Sequence, residues 1–548
     1  MHSFSSETGF EYPVNEVNRP EKYYNFTYDT LRRWVKVRPG SLALLCVDLE
    51  AGTEVRLTFA ELYRKISQAA NFLVSKMIEK GDRVVIMLPR VHEWWVIMLA
   101  LDLIGAIPAP ASLLLTESDL QFRVRSCRPK AIITDAENTA QVDFFDGVKI
   151  AIHGKQPGWI DYDTEVQKAS DQYTYVPTLA DDPAVLYFTS ATSGHPKMVV
   201  HSHASYSWAH HITGGLWLDL RPDDLHWNIS DLGWGKAAWS SLYGPWSMGA
   251  AVFVMHFRKL PLTHLLNAFE KYSITTFCSP PTVLRLLVRE NIKRHKFPVL
   301  RHCVSAGEPL NNEVPVLWKE GTGQDIYEGY GQTETIVQIA NVRSRHLKLK
   351  PGSIGQVMPG YDIHILDEAQ QEVDDGTEGE IAIRVAPERP IGLFTEYWGD
   401  PEKTRNAFQN GWYLTGDKAV RDPEGYFWFK GRADDVIKSS DFRIGPAEVE
   451  STLLKHPAVC ESAVVGKPDK VRGQLVKAFV VLKEGYDPNP ALAKEIQRFC
   501  QGISATYRWP REIEFVPSLP HTASGKLIRS ELRELEKHRA EESVKTSQ

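Results

Sequence analysis

After Thr58 the apolar residues Leu62, Ile66, Ala69 and Leu73 recur at the spacing that places side chains on one face of a helix. Thr58-Phe59-Ala60-Glu61 puts a capping box ahead of that run, and Gly81-Asp82 is predicted to stop it. Residues 83–88 then form a nearly unbroken apolar strand, the character of a sheet interior. A helix from His92 and an extended segment near Ala131-Ile132-Ile133 complete a strand–helix–strand alternation. The same kind of run returns at 184–188, 250–255, 275–278 and 302–305, separated by helical stretches. That alternation predicts α/β layers with parallel strand pairing, and functional loops at the strand ends.

Beyond about Gly355 the texture changes. Turns at Asp375-Gly376, Glu378-Gly379 and Glu424-Gly425 separate short alternating strands, which predicts a β-rich subdomain. Gly431-Arg432-Ala433-Asp434-Asp435 is compact, polar and followed by a new helix and strand pattern, so a boundary is placed there. The expected fold class is α/β. A large N-terminal domain of layered α/β sheets, with the β-rich subdomain, spans 1–431, and a small α+β C-terminal domain spans 432–548. The mixed-charge stretch from Glu531 onward reads as a solvated helix end that frays.

At 548 residues the chain is several times the usual domain size of about 100–200 residues, which agrees with more than one domain. A formal charge of −6 is small for this length and gives no sign of nucleic-acid binding. The six cysteines lie far apart, with no C-x-x-C pair and no zinc-like histidine spacing, and are expected to be small buried side chains. The first thirty residues hold Glu7, Glu11, Glu16 and Glu21 and no apolar run. This argues against a secretory signal or an arginine-rich transit peptide and leads to the expectation of a cytoplasmic protein. Residues 94–107 are too short for the ~20 apolar residues of a membrane span, contain Asp102 and run into Pro108 and Pro110. They read as a buried helix leading to a strand.

The segment Tyr187-Phe188-Thr189-Ser190-Ala191-Thr192-Ser193-Gly194-His195-Pro196-Lys197 is a hydroxyl-rich loop that leaves an apolar strand. Hydroxyls and backbone N–H groups donate to phosphate oxygens, Gly194 permits close backbone approach, and Lys197 adds a cation. The loop does not match G-x-x-x-x-G-K-[ST], which disfavours a kinase-like phosphate loop.

This loop resembles the phosphate loop of the adenylate-forming superfamily of acyl-CoA synthetases, luciferases and peptide-synthetase adenylation domains. Further similar segments follow in order: Ser305-Ala306-Gly307-Glu308-Pro309, Tyr327-Glu328-Gly329-Tyr330-Gly331-Gln332-Thr333-Glu334, Tyr413-Leu414-Thr415-Gly416-Asp417, the Gly431 to Asp435 segment and Ser524-Gly525-Lys526. The resemblance implies an ATP-dependent enzyme that turns a carboxylic acid into an acyl-adenylate and passes the acyl group to coenzyme A. Joining a carboxylate to the α-phosphorus of ATP brings two anions together, so the site must neutralise charge and fix an in-line approach.

By resemblance, residues 189–197 hold the β- and γ-phosphates, Glu334 helps bind Mg²⁺, and Thr333 hydrogen-bonds the α-phosphate and the acyl carboxylate. Gly307, Glu308, Pro309 and Tyr330 line the adenine pocket, and Glu328, Gly329, Gly331 and Gln332 complete the nucleotide segment. Asp417 and Arg432 take the ribose, Lys526 bridges carboxylate and phosphate during adenylation, and Asp434 sits at the hinge of a mobile C-terminal domain. Ser440, Asp441, Phe442 and Arg443 resemble the pantetheine channel, with Arg472 and Arg508 near the phosphates of coenzyme A. Two positions depart from the pattern: Asp441 stands where most relatives have glycine, and Ala191 replaces the usual first glycine of the phosphate loop.

Trp217-Leu218-Asp219-Leu220, Ser230-Asp231-Leu232-Gly233-Trp234, Arg389-Pro390-Ile391-Gly392 and the segment from Ser440 to Val449 are similar to the medium-chain branch. That similarity makes Trp234, Lys236, Trp239 and Gly331 the expected acyl pocket, for medium, branched or aromatic acids. Lys236 could sense a polar acyl tail or reach solvent. The expected partner is a small carboxylic acid, with ATP, Mg²⁺ and coenzyme A, in a monomer or homodimer. Two rivals stay open: transfer of the adenylate to a carrier thiol or its oxidation, and a degenerate nucleotide or acyl-CoA sensor.

Overall fold

The predicted capping box forms as the sequence requires: Thr58 accepts from the Glu61 N–H at 3.2 Å and Glu61 returns to the Thr58 N–H at 2.9 Å. The helix it starts, Phe59–Ser75, buries Leu62, Ile66, Ala69 and Leu73 and ends at Lys76, before the Gly81-Asp82 stop. The computed structural model describes residues 19–189, 196–308, 310, 313–345, 348–432, 435, 437–439, 442–469, 473–503, 509–521 and 527–545. Those residues fall into two compact units, one from Met1–Ser190, His195–Asp362 and Arg384–Gly411, the other from Ile363–Ile383 and Trp412–Gln548.

In the first unit, nine strands make one sheet in the order Gln356–Val357, Ile339–Ala340, Ile326–Tyr330, His302–Ala306, Thr276–Ser279, Leu225–Asn228, Ala251–His256, Leu42–Asp48 and Thr53–Thr58. Its centre, from Ile326–Tyr330 to Leu42–Asp48, is parallel, as the apolar runs predict. A second sheet of five parallel strands has the order Ile107–Pro110, Arg83–Met87, Ala131–Asp135, Val148–Ile152 and Ile160–Asp161. The helix His92–Ile104 is buried along nearly its whole length, and within it Asp102 Oδ2 accepts from the Thr27 N–H at 3.0 Å and the Thr27 hydroxyl at 2.8 Å. Among the described residues no helix is long and apolar enough to cross a membrane.

One strand departs from the parallel expectation. Pro183–Thr189 pairs antiparallel with Lys197–Ser202, which in turn pairs antiparallel with Glu396–Tyr397, making a small separate sheet. A continuous apolar run reports burial on both faces, and burial does not fix the direction of the partner.

In the second unit, Ile363–Leu366, Glu378–Arg384, Trp412–Arg421 and Phe427–Arg432 form an antiparallel β-rich sheet, in keeping with the turn pattern after Gly355. A further sheet pairs Val459–Asp469 with Gly473–Leu482, flanked by Ile437–Ser439, Phe442–Ile444 and Glu512–Phe515. The charged stretch from Glu531 is not a fraying end. It belongs to the helix Arg529–Lys545, whose Leu532 packs with Ala463, Val465, Phe479 and Leu519. Glu536 on the same helix is fully buried, and its Oε1 lies 2.7 Å from the equally enclosed Lys477 Nζ, which also meets Glu514 at 2.7 Å. Opposite charges on two elements remove each other's desolvation penalty, and a one-dimensional charge pattern cannot reveal that pairing. Glu536→Gln leaves Lys477 with Glu514 alone and is expected to lower the unfolding free energy by about 2 kcal/mol. Denaturant titration checks this, and an unchanged midpoint would contradict the pairing.

Five of the six cysteines are buried and none is in a disulfide; Cys460 is the partly accessible one.

Candidate active site

Strands His302–Ala306 and Ile326–Tyr330 lie parallel with Ala306 opposite Gly329, so the segments that follow them, Gly307-Glu308 and Gly331 to Glu334, leave the sheet side by side. Ligands of open α/β sheets collect at such carboxyl ends. Glu308 is held by the Thr282 hydroxyl at 2.7 Å and Arg285 at 3.1 Å. Burial pushes the Glu328 carboxyl up to about 8, so it is protonated at neutral pH and can donate a hydrogen bond. The Tyr330 carbonyl accepts from the Gln338 N–H at 2.9 Å, and the Gln332 N–H donates to the Thr335 hydroxyl at 2.9 Å, which closes the turn that carries Thr333 and Glu334.

The small antiparallel sheet grips that turn. Thr189 stands opposite Lys197 at the two ends of the hairpin that carries the hydroxyl-rich loop. Four residues further along the same strand, His201 donates from Nε2 to the Thr333 carbonyl oxygen at 2.7 Å, which leaves Nδ1 to accept from the Ser205 hydroxyl at 3.1 Å. Burial drives the His201 pKa down to about 3, so the ring stays neutral. The Glu334 carbonyl accepts from the Phe394 N–H at 2.8 Å, and the Tyr397 hydroxyl donates to Glu334 Oε1 at 2.9 Å. Glu334 Oε2 has no hydrogen-bond partner among the described residues. Lys197 Nζ lies over the Tyr397 ring, 5.1 Å from its centroid.

Of the residues expected at the acyl pocket, Gly331 and Trp239 lie against each other. Gly331 has no room for a side chain: a Cβ would fall 2.5 Å from the Ile336 carbonyl oxygen and 2.9 Å from the Trp239 ring. A Cβ on Gly235 would stand 3.7 Å from Trp239 Nε1 and 3.9 Å from the Thr333 methyl. Trp239 thus lies against both Gly331 and Gly235, with the Thr333 methyl beside Gly235. Trp239 is buried, whereas Trp234 is 36% exposed at the start of the short helix Gly235–Ala238. The Lys236 amine donates to the Ala306 carbonyl oxygen at 2.7 Å. Burial presses its pKa below the usual lysine value, against the opposing pull of Cys278 and Glu308.

In the second unit Asp417 and Arg432 stand opposite each other on neighbouring antiparallel strands, with Oδ1 and Nη1 3.8 Å apart. Gly416 makes the local bend at φ 71°, and its N–H donates to Glu380 Oε1 at 2.8 Å. Asp417 is 5% exposed, a carboxylate kept from bulk water beside a guanidinium.

Ser190, Ala191, Thr192, Ser193, Gly194, Pro309, Asp434, Ser440, Asp441, Arg472, Arg508 and Lys526 lie outside the described residues. Phe442 and Arg443 stand on the strand Phe442–Ile444, whose side chains at those two positions also lie outside them. His201, Tyr397, Thr282 and Arg285 escaped sequence reasoning. Each touches a motif residue, yet the Tyr397–Glu334 and His201–Thr333 contacts span 63 and 132 residues and leave no local signal.

Residues 31–398 match the AMP-binding enzyme family and residues 448–526 match the AMP-binding enzyme C-terminal domain. Acyl-coenzyme A synthetase ACSM3, mitochondrial, of Mus musculus is 42% identical over 536 residues, covering 95% of this chain and 92% of that protein. The human ACSM5 protein is 42% identical over 531 residues, 94% of this chain and 91% of its own length. Among solved structures, the anthranilate CoA ligase AuaEII in complex with anthranoyl-AMP is 30% identical with a TM-score of 0.85, covering 95% of this chain and 99% of that one. A benzoate CoA ligase from Burkholderia xenovorans LB400 is 28% identical with a TM-score of 0.80, covering 93% and 100%. The cytoplasmic expectation is corrected by these comparisons, because ACSM3 and ACSM5 are named as mitochondrial proteins. An acidic stretch argues only against a leader within the residues it occupies, and gives no positive address. The chain belongs to the AMP-binding enzymes and, within them, to the acyl-coenzyme A synthetases of the ACSM, medium-chain group, which use ATP to form an acyl-AMP and from it the coenzyme A thioester.

Proposed function

We propose that the acid is medium-chain, branched or aromatic, and that Trp239 and Gly331 set the depth of its pocket. The observation that carries this reading is the packing of Trp239 against Gly331 and Gly235, with Gly235 beside Thr333, which puts an aromatic ring near the residue assigned to the acyl carboxylate. Apolar walls with a few placed polar groups suit an acid whose charged end alone is recognised by hydrogen bonds. Residues 189–197 hold the β- and γ-phosphates, Gly307, Glu308, Pro309 and Tyr330 take the adenine, and Asp417 with Arg432 takes the ribose. Lys526 supplies positive charge as the adenylate forms. The domain over 432–548 turns at Asp434 and brings Ser440 to Arg443, Arg472 and Arg508 to coenzyme A. The protein acts as a monomer or homodimer.

Glu334 fits a magnesium ligand on the chemistry of its carboxylate: one oxygen is engaged by Tyr397 and the other has no partner among the described residues, as suits a hard cation bound by one or two carboxylates and by phosphates. Bound there, Mg²⁺ offsets the phosphate charge that repels the incoming carboxylate.

Acid-dependent exchange of pyrophosphate into ATP over straight, branched and aromatic acids, followed by addition of coenzyme A, tests the reading. Robust exchange with medium or aromatic acids and release of AMP is expected; exchange confined to acetate would overturn it. Trp239→Ala removes the ring that lies against Gly331 and is expected to shift kcat/KM about 10-fold or more towards the longest acids relative to the shortest. An equal loss for every acid would count against a pocket at this position.

A further inference from the structure

We infer that Tyr397 is a positioning residue for the metal-binding carboxylate, fixing which oxygen of Glu334 faces the cation. The inference rests on the assignment of Glu334 to Mg²⁺ and goes beyond it by naming what orients that carboxylate. Tyr397 is held before it acts. It sits on the strand Glu396–Tyr397, opposite Val199 on the strand that begins with Lys197. Its N–H donates to the Thr404 hydroxyl at 3.0 Å, and its carbonyl accepts from the Asp400 N–H at 3.0 Å. The ring packs on Phe394 with centroids 4.7 Å apart and is 3% exposed, so the hydroxyl has little freedom to swing. From that seat it donates to Glu334 Oε1.

A carboxylate on a turn can rotate about its last bond, and a hydrogen bond to one oxygen removes that freedom. The open Oε2 is then presented in one direction. The same ring lies against Lys197, so one side chain touches both the acidic residue assigned to the metal and the cation assigned to the phosphates. Tyr397→Phe keeps the ring and its contact with Lys197 and deletes only the hydroxyl. The two effects can thus be separated.

Titration of the full-length protein with Mn²⁺ and ATP, read by electron paramagnetic resonance of the free metal ion, tests the inference with Tyr397→Phe, Glu334→Gln and the double variant. Loss of an outer partner of a metal ligand typically weakens metal affinity about 10-fold or more, and that weakening is expected for Tyr397→Phe. The double variant is expected to be no weaker than Glu334→Gln alone, because the hydroxyl acts through the carboxylate. Raised Mg²⁺ should restore the turnover of Tyr397→Phe. If Glu334→Gln weakens Mn²⁺ binding and Tyr397→Phe does not, the positioning role is overturned while the metal assignment stands. If neither variant changes binding, the metal assignment fails and this inference with it. A fall in melting temperature with unchanged Mn²⁺ affinity would mark Tyr397 as purely structural and also overturn it.

Discussion

Lys526→Ala is expected to slow acyl-adenylate formation by about 10²–10³-fold while leaving the second half-reaction largely intact. Two anions must meet for the first step, and a positioned ammonium lowers that barrier because it is already in place when charge builds. Attack of the coenzyme A thiol on the adenylate carbonyl expels AMP and makes no similar demand on this lysine. Pyrophosphate exchange should therefore collapse, whereas thioester formation from a pre-made acyl-adenylate should proceed near the normal rate. Normal exchange by the variant would refute the proposed role. Equal loss of both steps would point to a damaged fold, which the melting temperature of the variant would reveal.

A steep loss of stability is expected as pH falls from 6.5 towards about 4. Burial lowers the pKa of six histidines in the first unit: His201 and His226 to about 3, His211 and His302 to about 4, His210 well below its usual 6.5, and His92 in the same direction. The unfolded chain protonates these rings below pH 6.5, whereas the folded chain does not until far lower pH. The unfolded state thus binds more protons throughout that window. Stability is full above 6.5 and drains as pH drops, at about 1 kcal/mol per pH unit for each ring. His153, whose pKa is raised by its bond to Glu93, and Glu328, raised by burial, work in the opposite sense and are outnumbered by the lowered rings. Guanidinium unfolding midpoints between pH 7.5 and 4.5 measure the effect; a flat profile would show that these rings are not held neutral.

Much of the first unit could be read from local pattern, because a capping box and apolar spacing act over four to seven residues. Thr58 and Glu61 cap their helix, and the runs at 251–256, 276–279 and 302–306 take parallel places in one sheet. Direction of pairing was legible only where helices intervene. The strand ending at Thr189 returns through a hairpin, and its apolar run carried no mark of that. The nucleotide segments were legible because their residue types have a chemical reason to be adjacent in sequence. Their supports were not, since His201 and Tyr397 reach Thr333 and Glu334 across separate sheets. Charge misled at the C-terminal helix for a related reason: Glu536 looks solvated until the strand that carries Lys477 is laid against it.

The burial of five cysteines hands the experimenter a natural label site. A maleimide dye added to the native, unmutated protein should react at Cys460, on the strand Val459–Asp469, and spare the enclosed thiols. Fluorescence from that single position would show whether the surroundings of Cys460 change in solution as ATP, acid and coenzyme A are added in turn.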